Sequence, residues 1–385
     1  MKAMNEVAAL AALAALPATA FAALYGDAPD SMHAWAVHDW NRPKPAKVEV
    51  DPRGVPSDAK VLFDGTKESL DANWCDERGG PTKWRHSPAG YFYAVPGWKN
   101  GGAIRTKEEF GDAQLHIEFR HDPAQLIDGK GPQMRGNSGV FLMGPGYGYE
   151  VQVLESYFTS KEAEGTPQYV DNYADGQAGS IYAESPPAVN PAKKPGEWQA
   201  YDIVFHQPVW EGKKLLHPGS VTVFFNGVLV QDHWEMEGQT THKRRRPLAP
   251  HPAKGPLTLQ DHGCEVEYRN VWIRPIQSRW DNLTSSAMSA SPEKVMELRR
   301  ETAARLYANI EDPKAATAEN VKALAEVVAY ANEGEYREAF DAALEAYRQS
   351  PGDKREVDGV NGDLDILVRA GILPPDRRVT RGGKL

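Results

Sequence analysis

From Val61 to about Pro275 the chain is written in short segments of alternating apolar and polar residues, separated by Gly, Pro, Asn and Asp. Two is the period of a strand, and the helical period of 3.6 does not run through this stretch. The clearest segments are Gln114–Arg120, Ser138–Met143, Tyr149–Leu154, Ala200–Phe205, Val221–Phe225, Val228–Asp232, Leu257–Gln260 and Val266–Ile273. Asn226-Gly227 lies between two of them, and because a type I′ turn needs positive φ at both central residues, the pair predicts a tight hairpin. About a dozen strands without crossover helices predict an all-β domain, a sandwich of two antiparallel sheets.

Past Ser291 the period becomes helical. Ser291-Pro292-Glu293 offers an N-cap, a proline at the first position and an acidic first turn, and Val295, Leu298 and Leu306 share one stripe. Val321, Leu324 and Val328 mark a second helix, Tyr336, Phe340, Leu344 and Tyr347 a third, and Leu364 to Ala370, stopped by Gly371, a short fourth. At the other end, Val7 to Leu16 is an apolar run followed by Pro17 to Ala22, which closes in an A-x-A cleavage pattern. That run is too short to cross a bilayer, so the chain is expected to be exported, periplasmic or secreted, without a membrane anchor. The expected division is 1–22 signal peptide, 23–56 extended lead-in, 57–276 β-sandwich, 277–290 linker, 291–375 helical extension and 376–385 basic tail.

With 44 Lys+Arg against 53 Asp+Glu the chain carries a net charge of −9, which argues against a general nucleic-acid partner. The Lys243–Arg246 run reads as a solvated loop. No nucleotide cofactor is expected. The two cysteines, Cys75 and Cys264, leave a disulfide and a pair of buried thiols as open alternatives. Ten Trp and fifteen Tyr suit a surface that binds sugars.

Strand parity sorts the chemistry-bearing residues. Leu115, Ile117 and Phe119 face one way, and His116, Glu118 and Arg120 the other. By the same rule Glu150 and Gln152 oppose the valines beside them, and Thr258, Gln260 and His262 oppose Leu257 and Leu259. Asn137 and Gly139 fall on a polar face, and Arg105 follows the apolar Ile104. If these strands are neighbours in one sheet, their polar faces merge into a concave patch suited to a polyhydroxylated ligand. His116-x-Glu118 can also be read as a metal-ligating pair, or as part of an ordinary ion pair with Arg120 or Arg105.

Eight motifs then occur in order: Leu62-Phe63-Asp64-Gly65, Ile104-Arg105-Thr106, Asn137-Ser138-Gly139-Val140-Phe141, Tyr149-Glu150-Val151-Gln152-Val153-Leu154, Gly176 to Tyr182, Pro195-Gly196-Glu197-Trp198-Gln199, Phe225 to Gln231, and Gly255 to Gly263. Over about residues 57–276 the series resembles the 3-keto-disaccharide hydrolase family, also described as 3-keto-glucoside-1,2-lyase/3-keto-2-hydroxy-glucal hydratase domains. The resemblance implies a concanavalin A-like jelly-roll sandwich in an exported bacterial enzyme. Its substrate would be a 3-keto-glucoside, made by a sugar 3-dehydrogenase. A ketone at C3 acidifies the C2 proton, so a base can remove it and expel the C1 oxygen, and hydration of the 2-hydroxy-glucal completes a net hydrolysis. On this basis Glu150 is the expected base and His262 the acid, with Arg105 or Arg120 and Asn137 polarising the ketone. Gln152, Gln260 and Trp198 join the expected substrate contacts, while His116 and Glu118 either bind substrate or hold a divalent cation. The chain departs from the family's pattern at Glu155, where Asp is common, and at Cys264 after the Asp261-His262-Gly263 run.

Two other functions fit the same sandwich. A retaining glycoside hydrolase would need two carboxylates about 5 Å apart, and Glu150 and Glu155 would face each other only through a bulge. A non-catalytic carbohydrate-binding module would instead use Trp74, Trp98 or Trp198 as stacking platforms.

Overall fold

The computed structural model describes residues 26–380, apart from 41, 43, 96–100, 126–130, 145–147, 160–164, 166–168, 170 and 277–291. The expected signal peptide, the 277–290 linker, Trp98 and the last residues of the basic tail lie outside the described residues. The chain divides into two compact units, residues 46–286 and the two ends together, up to 45 and from 287 onward.

The larger unit contains fifteen strands. In chain order they are β1 Lys60–Phe63, β2 Trp74–Asp76, β3 Arg85–Ser87, β4 Tyr91–Tyr93, β5 Ile104–Phe110, β6 Ala113–Arg120, β7 Ser138–Leu142 and β8 Tyr149–Val153. They continue with β9 Gln199–His206, β10 Val209–Glu211, β11 Lys214–His217, β12 Ser220–Phe225, β13 Val228–Glu235, β14 Gly255–Leu259 and β15 Glu267–Pro275. One sheet of eight strands runs β13-β12-β9-β6-β15-β4-β3, with β1 added on β15. A second sheet of five runs β2-β5-β14-β7-β8, and β10-β11 is a separate ribbon. All pairings are antiparallel. The Asn226-Gly227 hairpin closes with φ of 53° and 79° at its two residues, as the sequence demands.

The inward residues of both sheets meet in one core. Leu115, Ile117, Phe119, Tyr201 and Ile203 from the larger sheet pack with Val140, Val151, Val153 and Leu259 from the smaller. Two hydroxyls tie the layers across that core: Tyr201 donates to the Gln152 carbonyl at 2.7 Å, and Tyr268 to Ser138 Oγ at 2.7 Å. Each bond satisfies a polar group that the apolar interior would otherwise strand. Both cysteines are buried thiols that form no disulfide.

One element of this unit escaped the sequence. Helix α1, Lys67–Asn73, is capped by Thr66, whose side chain accepts from the Ser69 N–H. Seven residues make about two turns, too few to display a period.

The smaller unit holds α2 Pro292–Ala308, α3 Ala318–Tyr330, α4 Gly334–Gln349 and α5 Lys354–Arg369. The last is longer than the expected fourth helix because its first turns are polar. An Asp353/Glu356 capping box starts it, a signal that lies outside the apolar stripe. The segment expected as one extended lead-in over 23–56 divides between the units. Trp35 packs edge-on to Tyr330 at 6.3 Å, and Ala36 joins the helical core, so the half-buried tryptophan is packed apolar surface rather than part of a free tail.

Candidate active site

Antiparallel pairing lines up one row of residues across the outer face of the five-stranded sheet. Cys75 pairs with Arg105, Arg105 with Thr258, Thr258 with Phe141 and Phe141 with Glu150. The next outward row sets Gly139 opposite Gln152, with the Gln260 N–H donating to the Gly139 carbonyl at 3.0 Å. Parity therefore assigned Arg105, Glu150, Gln152 and Gln260 to a shared face correctly. Arg105 stands three strand spacings from Glu150, roughly 14 Å between backbones, and its guanidinium reaches toward Gly79.

Glu150 is the chemical centre of this face. Only 4% of it is exposed, and burial pushes its carboxyl up to about 8. No cation pairs with it among the described residues. With its amide oriented by the surrounding donors and acceptors, Gln152 donates to Glu150 Oε1 at 2.9 Å and to the Ser138 carbonyl at 3.0 Å. The carboxylate fits there because residue 139 is glycine: a Cβ would meet Glu150 Oε1 at 2.3 Å. A desolvated carboxylate that ionises near neutral pH is the form of a general base.

Two segments absent from the expected site build the walls. Tyr182 enters beside Glu150 through its N–H, which donates to the Glu150 carbonyl at 3.0 Å. Its hydroxyl lies 3.2 Å from that of Tyr173 and 3.0 Å from His242 Nδ1, a continuous polar chain. Burial first, and the Tyr173 contact second, raise the Tyr182 hydroxyl, which keeps its proton. The opposite wall is the loop from Gly238 to Pro247, closed by an isolated bridge between those residues and by the Thr241 hydroxyl on the Arg244 carbonyl at 2.6 Å. Together they enclose a hollow of about 390 Å³ lined by Tyr173, Asp175, Tyr182, His242 and the Lys243–Arg245 side chains. A second hollow of about 220 Å³ shares Tyr182, Arg244 and Arg245. The Lys243–Arg246 run is the exposed loop expected from the sequence, and it also lines both hollows.

His262 follows β14 and is half-buried. Burial lowers its imidazole, and His242 is near enough to lower it further against the opposing pull of Asp261. Asn137 is buried and spends its amide N–H groups on the Gln133 carbonyl at 2.8 Å and on Gln133 Oε1 at 3.1 Å. Its amide is thus spent on positioning Gln133.

The remaining expected residues lie elsewhere. β6 pairs with β9 and β15, both in the eight-stranded sheet, so His116, Glu118 and Arg120 point from the opposite face of the sandwich. The single concave patch does not form: parity distinguishes inside from outside and carries no information about which sheet a strand joins. On that far face His116 is stacked on Trp272 at 5.3 Å, with Nδ1 2.6 Å from Asp202 and Nε2 3.7 Å from Glu118. Burial pulls the ring down, yet the two carboxylates prevail and hold it at about 9, an imidazolium. Glu118 is bound further by Arg269 at 2.6 Å and Asn270 at 2.9 Å, and Arg120 pairs with Glu267. Among the described residues no three His, Cys, Asp or Glu side chains are grouped to hold a metal ion. Trp198 sits on this face as well, with the Arg120 and Arg269 guanidiniums 4.7 and 4.2 Å from its ring, so cations occupy the surface a sugar would stack on.

Glu155 is 1% exposed and accepts from Arg135 Nε at 3.1 Å and from the Phe158 N–H at 3.1 Å. It is the anion of a buried ion pair rather than a partner for Glu150.

A family model described as a 3-keto-alpha-glucoside-1,2-lyase-like domain matches residues 58–274. Among solved structures, a candidate glycosyl hydrolase from Parabacteroides distasonis is 36% identical, over 62% of this chain and 95% of that one, with a TM-score of 0.54. A second candidate glycosyl hydrolase from that organism is 21% identical over 57% of this chain and 99% of its own, with a TM-score of 0.39. The comparison with curated proteins gave no match.

Proposed function

The chain belongs to the 3-keto-alpha-glucoside-1,2-lyase-like family, and on that premise we propose that it is an exported enzyme that cleaves 3-keto-glycosides by elimination and hydration. The observation that carries this reading is Glu150: a buried carboxyl whose ionisation burial pushes up to about 8, unpaired by any cation among the described residues, and near enough to Tyr182, which lines the hollow, to help raise its hydroxyl. A base is most useful when it ionises near the working pH. Glu150 takes the proton from C2, the electron pair moves into an enediolate on the C3 oxygen, and the C1–O bond breaks to leave 2-hydroxy-3-keto-glucal. The Tyr173–Tyr182–His242 chain supplies the proton that the departing oxygen needs, a role expected of His262, which stands close by on the same side. Water then adds at C1 and the proton returns to C2, so the sum is hydrolysis.

The substrate must be an oxidised sugar, which calls for a sugar 3-dehydrogenase upstream. The test is turnover and binding of a 3-keto-glucoside by Glu150→Gln, with and without chelator. This account expects turnover to fall at least 10³-fold while binding persists. Unchanged turnover would remove Glu150 from the mechanism, and binding without turnover in the unaltered protein would make the chain a carbohydrate-binding module. Chelator-sensitive turnover would bring a divalent cation into the step at the ketone.

A further inference from the structure

The walls of the hollow carry more positive charge than an elimination on a neutral glucoside requires. Its lining sets Lys243, Arg244 and Arg245 against the single carboxylate of Asp175, in a protein whose net charge is −9. Arg245 is committed to Glu237 at 3.1 Å, whereas Lys243 and Arg244 have no carboxylate partner among the described residues. Of the other carboxyls near the hollow, Glu184 accepts from the Trp234 indole at 3.0 Å and the Gly238 N–H at 2.8 Å, and burial pushes Glu150 up to about 8, so it is largely neutral at pH 7.

The loop that presents these cations is built rather than loose. Gln239 N–H donates to the Arg246 carbonyl at 3.0 Å, a Cβ on Gly238 would meet that same oxygen at 1.9 Å, and Lys243 adopts a φ of +58°. Lys243 and Arg244 are exposed and hydrated at the rim of the hollow, and the closed turn fixes their charges where an anion entering it would meet them. Arg244 borders both hollows, so it stands where one ligand would pass from the first into the second.

From this geometry we propose that the substrate carries an anionic group, a carboxylate, sulfate or phosphate, on the part that occupies the hollow between Tyr182 and Lys243-Arg244. The proposal rests on the elimination reading for which bond breaks, but not for what binds. The phenol chain faces the sugar ring, and the two cations meet the charged substituent beyond it.

The test uses two 3-keto-glucosides that differ only at the aglycone, phenyl and 4-carboxyphenyl, with the full-length protein. The carboxylated substrate is expected to show a KM about tenfold lower at low salt. That ratio should fall toward one in 0.5 M NaCl and in Lys243→Ser/Arg244→Ser. Equal KM values, or a ratio indifferent to salt and to the double variant, would overturn the proposal while leaving the elimination reading intact. Binding of the unoxidised 4-carboxyphenyl and phenyl glucosides, followed by calorimetry, gives the same ratio without turnover. If neither keto substrate is cleaved, a tenfold binding preference sustains the anionic site and a ratio of one ends it.

Discussion

Gly139 and Glu150 share one space: the side chain that residue 139 lacks is the volume the Glu150 carboxylate fills, to within 2.3 Å of where a Cβ would stand. A methyl group there must push the carboxylate off its position above the sheet. Gly139→Ala should therefore fold, with an overpacking cost of about 1–3 kcal/mol, and lose on the order of 10² in kcat. Melting curves and steady-state rates on one preparation check both halves.

The pH dependence of activity and of stability should come from the same carboxyl. Its folded value of about 8 exceeds the ordinary carboxylate value near 4.5, so the folded state holds a proton that the unfolded state has released across that window. Stability contributed by the protonated form is complete below about pH 4.5 and is lost as pH rises through 8. Turnover, which needs the ionised base, rises over the upper part of the same range. Glu150→Gln cannot ionise, so it should gain on the order of 5 °C in Tm over the parent at pH 9 and almost nothing at pH 4.5. Parallel melting scans decide this.

Glu155 answers to a different experiment. Removing the anion from a buried ion pair costs the fold its Coulomb attraction and a charged hydrogen bond, so Glu155→Gln should cost about 2–3 kcal/mol. The fraction that remains folded should cleave a 3-keto-glucoside at close to the parental rate. A folded variant without activity would place Glu155 in the chemistry and revive a two-carboxylate mechanism.

His116 offers a pH signature on the far face. Its folded value of about 9 lies above the ordinary 6.5, so the stability it draws from Asp202 and Glu118 is fully present below pH 6.5 and disappears as pH rises through 9. With the Asp202 side chain 42% exposed, screening holds the pH-dependent loss in His116→Gln to about 1–2 kcal/mol at pH 6. Urea titrations at pH 6 and pH 10 measure it, and kcat on a 3-keto-glucoside should not change.

How far the sequence carried the structure is visible in these residues. Alternation told which side chains of Leu115–Arg120 and Tyr149–Val153 face inward, because the pleat enforces it locally. It could not tell that the two strands lie in different sheets, since pairing is settled by contacts far apart in sequence, and so His116 and Glu150 were joined in one patch that the fold splits. Its charge run places the basic loop in solvent, where it is, but not beside Tyr182. Thr240 to Arg246 has no period and no motif spacing, and its place beside Tyr182 comes from contacts distant in sequence, among them the Thr240 N–H on the Gly148 carbonyl and His242 against the Tyr182 hydroxyl. Tyr182 itself stood inside a family motif, and that was the one available signal.

The central claim is that Glu150 breaks a C–H bond before any C–O bond is cut. Cleavage of a 3-keto-glucoside in deuterated water, with the product read by NMR beside a time-matched sample of 3-keto-glucose without enzyme, tests it most directly. The account predicts one deuterium at C2 of the released 3-keto-glucose, well above the enzyme-free control, and no cleavage of the unoxidised glucoside. Product with only the control level of deuterium at C2, or equal cleavage of the parent glucoside, would contradict it.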